Sequence, residues 1–322
     1  MSRRTFPKAR MLALAPLAAA VMLLAAAPTA LATFPGRNGP IAFHSDTDAG
    51  AQIFTVRPNG HGLRQITHVD GEAVRPDWSP DGSRIAFELG TADSGSVAIM
   101  NADGSDMVVL PPVPGVFEGD PSFTPDGTRI VFVRFDGEVE AIWSMKLDGT
   151  DRRLITTAGA PDPNISPDGR RLAFLGFDGT PFGQALFISG SDGSDPSPIT
   201  PFSFNVGFKH DWAPDGQRLA FIHNADFAIP GESANIATIR PDGTDLRFLT
   251  HYPGGEVNAF VGSYSPDGRW IMFRLEDHGR FGLYKMHPDG SHLKPILGLP
   301  SFAPRFIDWG PRVADREEAN DR

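Results

Sequence analysis

The chain has 322 residues, with 29 Lys and Arg against 39 Asp and Glu, no Cys, and 35 Gly beside 30 Pro. A net charge of −10 disfavours nucleic acid and anionic lipid as partners, since surfaces for either concentrate Lys and Arg. The lack of cysteine excludes disulfides, thiolate catalysis and Cys-ligated metals together, while the Gly and Pro content points to many turns between apolar runs.

Residues 1–32 read as a signal peptide. Arg3, Arg4, Lys8 and Arg10 precede an uncharged Ala/Leu-rich run from Met11, and "ALA" at Ala30–Ala32 supplies the small residues of a cleavage site. The opening "SRRTFPK" resembles a twin-arginine export signal, with Pro7 in place of the usual apolar residue; an ordinary secretion signal with two arginines is the alternative. Taking 32 from 322 leaves 290 residues, and losing four cations leaves 25 basic against 39 acidic groups, a charge of −14. No Cys near the cleavage point invites a lipid, and no second long apolar stretch follows. The expected product is a free, secreted or extracytoplasmic protein without stable membrane insertion.

After the leader comes "GPIAFHSD" from Gly39, a short strand pattern with no partner motif before it. Its "HSDTDAG", with Asp46 and Asp48, has alternating carboxylates that suit calcium, but it lacks the further acidic ligands such a loop needs, so a plain turn is expected. Two motifs then alternate along the chain. The first is "WSPDGSRIAF" and its relatives, where Asp81, Asp126, Asp168, Asp215 and Asp267 each stand six residues before Phe87, Phe132, Phe174, Phe221 and Phe273. The second begins with "IFTVRPNGHGLRQIT", and from Asn59, Asp103, Asp148, Asp192, Asp242 and Asp289 to the end of the next short run the offset is always eight.

Each motif places a Pro-Asp-Gly or Asp-Gly turn between runs rich in Ile, Leu, Val and Phe, too short for a helix. Pro presets one corner, Asp bonds its own backbone, and Gly accepts positive φ, so these Asp residues are turn formers first. Four short strands recur every forty-odd residues, here lettered A to D within each repeat. That pattern predicts an all-β fold, a six-bladed β-propeller of four-stranded antiparallel blades over residues 33–312, followed by a charged tail at 313–322. The second motif occurs six times and the complete first motif five. The missing piece is divided between the ends: "GPIAFHSD" is a B strand without its A strand, and "RFIDWGPR" at Arg305–Arg312 is an A strand with nothing after it. Pairing the two closes the ring and removes its open edges.

The run "IAFHSDTDAGAQIFTVRPNGHGLRQIT" followed by "PDWSPDG" resembles the WD-like repeat of TolB-type propellers, and the likeness covers nearly the whole chain after the leader. It implies a secreted propeller. TolB proteins have an additional N-terminal domain that contacts the Tol-Pal envelope system, and the first blade strand here begins within about ten residues of the expected cleavage point, so that role is not implied.

Antiparallel order sends the A-to-B and C-to-D turns to one face of the ring and the B-to-C and D-to-A connections to the other. The first face carries the fixed-length Asp-Gly turns. On the second, the distance from the repeated Phe to the next turn is 16 residues in four repeats and 18 and 21 in the repeats of Phe174 and Phe221. Variable loops on a rigid scaffold are the usual home of binding residues. The D-to-A segments supply Phe117, Phe202, Phe204, Phe208, Tyr252 and Phe260 beside Glu72, Asp77, Glu118, Asp120, His210 and Asp211, the aromatic and polar mixture used in protein and sugar contacts. The structural alternative is that the aromatics fill gaps between blades. It is the expectation for Trp78, Phe123, Trp212 and Tyr264 on strand A.

A non-catalytic, monomeric module binding an envelope or extracellular protein or glycan, with no cofactor, is the expectation. The alternative is an enzyme acting on acidic sugars through a divalent metal held by His68, His210 and His251 at the channel mouth, an arrangement that certain sugar-acid lyases on related propellers resemble. "GESAN" at Gly231–Asn235 lacks the final Gly of a nucleophile elbow, and no strand-to-helix turn follows it in the sequence pattern. Propeller-bearing peptidases have a separate hydrolase domain, for which this chain has no room.

Overall fold

The computed structural model describes residues 36–91, 94–159, 161–180, 183–224, 231–254, 256–299 and 303–313. The expected signal peptide and the tail beyond Val313 lie outside them.

Six four-stranded antiparallel sheets form the fold. The first blade opens with β1 (Asn38–Thr47), β2 (Gly50–Val56) and β3 (Arg64–Gln65). The second holds β4 (Glu72–Trp78), β5 (Arg84–Thr91), β6 (Ser94–Asn101) and β7 (Val108–Val109). The third holds β8 (Phe117–Phe123), β9 (Arg129–Phe135), β10 (Glu140–Lys146) and β11 (Arg153–Thr156). The fourth holds β12 (Asn164–Ile165), β13 (Arg171–Phe177), β14 (Gln184–Gly190) and β15 (Ser197–Pro198). The fifth holds β16 (His210–Trp212), β17 (Leu219–His223), β18 (Asn235–Ile239) and β19 (Arg247–Phe248). The sixth holds β20 (Val257–Tyr264), β21 (Ile271–Asp277), β22 (Arg280–Met286) and β23 (Lys294–Leu299). Last, β24 (Arg305–Pro311) returns to β1, pairing Trp309 with Ile41 and Pro311 with Asn38. The two ends of the chain therefore share the first blade, as the divided motif predicts.

The repeat is legible in the core. Phe43, Phe87, Phe132, Phe174, Phe221 and Phe273, one per blade, are all 0% exposed, and burying a Phe contributes roughly 1.5–3 kcal/mol. The apolar clusters bridge blades: Ala86 and Ile99 of the second pack with Phe123, Phe132 and Met145 of the third. Turn chemistry explains the fixed offsets. Asp81 Oδ1 accepts hydrogen bonds from the Ser83 amide (2.9 Å) and the Ser79 hydroxyl (2.7 Å), while Gly82 takes φ of 69°. In the first and fourth blades the outer strand is shorter than "LRQIT" suggests, because the closing Thr leaves the ladder. Its hydroxyl accepts the amide of the C strand instead, at 2.8 Å for Thr67 and Ile53 and 2.9 Å for Thr200 and Leu186.

One expectation needs correction. Glu72, Asp77, Phe117, Glu118, Asp120, His210, Asp211 and Phe260, placed by the sequence reading on D-to-A loops, lie within the innermost strands. β4 and β8 begin earlier than the alternation suggests, because bulges absorb the irregular residues: the β4–β5 register shifts between Val74 and Asp77, and the β8–β9 register between Gly119 and Ser122. Arg75 and Asp120 sit at these bulges with φ of 54° and 51°.

Candidate binding site

The inner strands read Arg75-Pro-Asp-Trp, Asp120-Pro-Ser-Phe, Asp162-Pro-Asn-Ile, Lys209-His-Asp-Trp, Val261-Gly-Ser-Tyr and Phe306-Ile-Asp-Trp. A chain of hydrogen bonds runs from blade to blade along them. The amides of Trp78 and Phe123 donate to Asp308 Oδ2 and Asp77 Oδ2, both at 2.8 Å. The amides of Asp162 and His210 donate to Asp120 Oδ2 and Asp162 Oδ2, both at 2.7 Å. Those of Tyr264 and Trp309 donate to Asp211 Oδ2 and Ser263 Oγ, again at 2.7 Å. All six seams are stitched. A charged acceptor strengthens such a bond to about 1.5–3 kcal/mol.

These carboxylates surround cations. Arg75 Nη1 lies 2.8 Å from Asp120 Oδ2, and its Nε lies 3.7 Å from Glu88 Oε2. Burial raises the pKa of Asp120 and of Glu88, and Arg75 opposes the rise. Burial, reinforced by the neighbouring Asp308 carboxylate, holds Asp77 well above the usual carboxylate range. Burial alone would lower the Lys209 pKa, but Asp162, Asp308, Asp211 and Asp77 together raise it above the ordinary lysine value. The channel space among Arg75, Asp120, Asp162, Lys209 and Phe306 is only about 10 Å³, room for about one water. Among the described residues this part of the axis is filled by charged side chains.

The candidate residues therefore divide. Asp77, Asp120 and Asp211 face neighbouring blades as acceptors, and His210, 0% exposed, holds Nδ1 2.8 Å from Asp162 Oδ2. Glu118 is buried and receives Arg152 on both oxygens, at 3.0 and 3.1 Å. Phe117 lies so close over the backbone that a Cβ at Gly95 would fall 2.4 Å from its ring. Phe202 packs 5.9 Å from Phe187, and Phe204 packs among Phe221, His223 and Phe248. Tyr252 packs against the fifth and sixth blades, while Glu72 stands exposed. His68 and His251 are exposed and His210 is sealed, and among the described residues no three His, Cys, Asp or Glu side chains are gathered as a metal site requires.

Phe208 and Phe260 remain at the mouth. They line a pocket of about 200 Å³ on the loop face, above Lys209, with Arg274, Arg305 and Phe306. The Arg274 guanidinium stacks 3.9 Å over the Phe260 ring, and its nearest carboxylate contact is Glu276 at 4.0 Å. Its Nε is buried without a hydrogen-bond partner among the described residues. Burial, with Arg305 adding to it against Glu276, lowers the Arg274 pKa to about 10. His44 sits beneath, stacked 5.5 Å from Phe306, its Nδ1 accepting the Arg75 amide at 3.2 Å. Burial and then Arg305, Arg75 and Arg274 lower its pKa to about 3, so it is neutral. The mouth is thus an aromatic cup in which Arg305 pairs with Asp46 at 3.3 Å while Arg274 lacks full compensation. Sequence reasoning missed Arg75, Asp162, Lys209, Arg274, Arg305, Phe306 and His44. Part of the signal was available, for most of them occupy the third place before the strand-A aromatic or the place after the repeated Phe, where the repeat stops being uniform.

A family model described as TolB beta propeller domain matches residues 28–162. An uncharacterized protein of Agrobacterium fabrum is 30% identical over 132 residues, which cover 40% of this chain and 40% of that protein. The match thus spans about two fifths of the curated relative. Among solved structures, TolB from Acinetobacter baumannii superposes with a TM-score of 0.72 at 17% identity, covering 87% of this chain and 69% of that one. Oligogalacturonate lyase from Vibrio parahaemolyticus superposes with a TM-score of 0.55 at 15% identity, covering 82% and 74%. At such identities the likeness is one of fold. The architecture is that of a TolB-type six-bladed β-propeller.

Proposed function

We propose that this protein is an extracytoplasmic, non-catalytic binding module that takes a carboxylate-bearing segment of a protein partner at its loop-face mouth. The observation that carries the reading is Arg274: a guanidinium stacked on Phe260, with a buried Nε lacking a partner, opening on a pocket it shares with Arg305 and Phe208. An arriving carboxylate would pair with the guanidinium from the pocket side, and the rings would supply desolvated contact area. The leader-like first 32 residues and the likeness to TolB support an extracytoplasmic location. No helix among the described residues is long and apolar enough to cross a membrane.

Acidic glycans carry the same chemistry, and the likeness to oligogalacturonate lyase keeps them as the second arm of the test. Titrating the leaderless protein with an Asp/Glu-rich peptide and with an oligogalacturonate distinguishes the two. The reading expects saturable peptide binding that weakens about tenfold to a hundredfold in Phe208→Ala or Arg274→Gln. Binding of the oligogalacturonate alone, above all if it needs an added divalent metal, would transfer the site to the enzyme alternative.

A further inference from the structure

Five of the six inner strands carry, at one matching place, an aromatic residue that fills the wedge beside the preceding blade: Trp78, Phe123, Trp212, Tyr264 and Trp309, none more than 3% exposed. At that place β12 carries Ile165, a smaller side chain that is itself only 4% exposed. A cavity of about 460 Å³ opens at that seam, on the turn face between the third and fourth blades, lined by Val131, Leu154, Ile155 and Ile165 with Arg129 among its polar groups. At the adjoining seam, where Phe123 occupies the matching position, the cavity is about 140 Å³. The turns record the same widening. A Cβ at Gly127, Gly216 or Gly268 would meet the proline of the preceding blade's turn at 3.4, 3.6 or 3.8 Å, whereas at Gly169 it would meet nothing within 4 Å.

We propose that this seam is a binding site for a small flat aromatic molecule of the indole class. The fold itself supplies the template, because the neighbouring seam shows what an occupied wedge looks like. There the Trp212 indole is buried, with the Arg171 guanidinium 5.0 Å from its ring. Arg129 holds the position of Arg171 in the open seam, its Nη1 fixed 2.8 Å from Asp151 Oδ2; Val131 and Ile165, 1% and 4% exposed, form the floor, and Leu154 and Ile155 supply the accessible apolar walls. A ring entering the seam would gain apolar burial and a cation above its face. The volume lies within the range of small-ligand pockets, roughly 300–1,000 Å³. The site is on the opposite face from the mouth and does not depend on the function proposed there.

Titration of the methyl-labelled, leaderless protein with indole, followed by NMR, tests the proposal. Saturable shifts confined to the methyls of Val131, Leu154, Ile155 and Ile165 are expected. Ile165→Trp should refill the wedge, abolish those shifts and raise the melting temperature, while Phe208→Ala should leave the indole affinity unchanged. Ile165→Phe makes the same test if the larger ring is not accommodated. Absence of saturable shifts at these methyls in the folded protein, or equal indole binding by a refilled variant, would overturn the proposal.

Discussion

Replacing Arg75 with Met keeps an apolar stem but removes the guanidinium that stands 2.8 Å from Asp120 Oδ2 and 3.7 Å from Glu88 Oε2. Asp120 and Glu88 are 6% and 9% exposed, so their charges would stay in place without a counter-ion. Removing one partner of a buried pair costs about 3–5 kcal/mol. The Arg75 side chain is itself 30% exposed, which puts the expected loss at the lower end, about 3 kcal/mol, and the fall in melting temperature at roughly 5 °C. The pH dependence is the sharper arm. Burial already raises both carboxyl pKa values above their unfolded values, and Arg75 holds the rise down. Without it they rise further, so the deficit is full above the folded pKa values and shrinks as pH falls toward the ordinary carboxylate range. His44 acts in the same sense, since Arg75 is one of the charges lowering its pKa. Urea denaturation of both proteins at pH 7.5 and pH 4.5 reads the difference. A deficit below about 1 kcal/mol at pH 7.5, or one that does not shrink on acidification, would refute the assigned pairing.

Ending the chain at Pro304 removes β24, and with it the burial of Ile307 and Trp309, 2% and 3% exposed. At about 1.5–3 kcal/mol for each side chain, with the Asp308 stitch also lost, calorimetry should show a large fall in melting temperature or no cooperative transition; melting like the full chain would contradict the closure. His44 is neutral in the fold, its pKa lowered from 6.5 to about 3. Its contribution is therefore present above pH 6.5 and declines below it by about 1.4 kcal/mol per pH unit. His44→Asn, which can still accept the Arg75 amide, should flatten stability against pH over that window; a profile identical to wild type would show that His44 does not titrate as described. Changing Arg3 and Arg4 together to Lys should block export while the purified leaderless protein melts unchanged; normal secretion of the double variant would indicate an ordinary signal.

The fold was legible because its repeat is written in covalently local chemistry. The step from Asp81 to Phe87, and its counterparts, is set by one turn and half a strand, both short enough for spacing to determine. Closure was legible for the same reason, since the unpaired pieces at Gly39 and Trp309 complete one motif between them. The site was less so. Alternation tells which residues share a strand face only while the register holds, and the bulges at Arg75 and Asp120 break it by placing L-residues at positive φ. Asp77 and Asp120 thereby became acceptors for neighbouring backbones, and Asp211 did so on an unbroken register, although their polarity in an aromatic setting suggested ligand contacts. Arg274 was missed because the role proposed for it depends on what it lacks. Only three-dimensional placement shows that no acceptor reaches its Nε among the described residues.

The central claim is that a partner is held on the loop face, and site-specific photocrosslinking in the producing cells tests it most directly. A photoreactive phenylalanine analogue at Phe208, 37% exposed beside the mouth, should form a covalent adduct with a protein, and the adduct should fade when Arg274 is changed to Gln. The same group at Ser105, exposed on an Asp-Gly turn of the opposite face, should form none. An adduct at Ser105 with none at Phe208 would contradict the account.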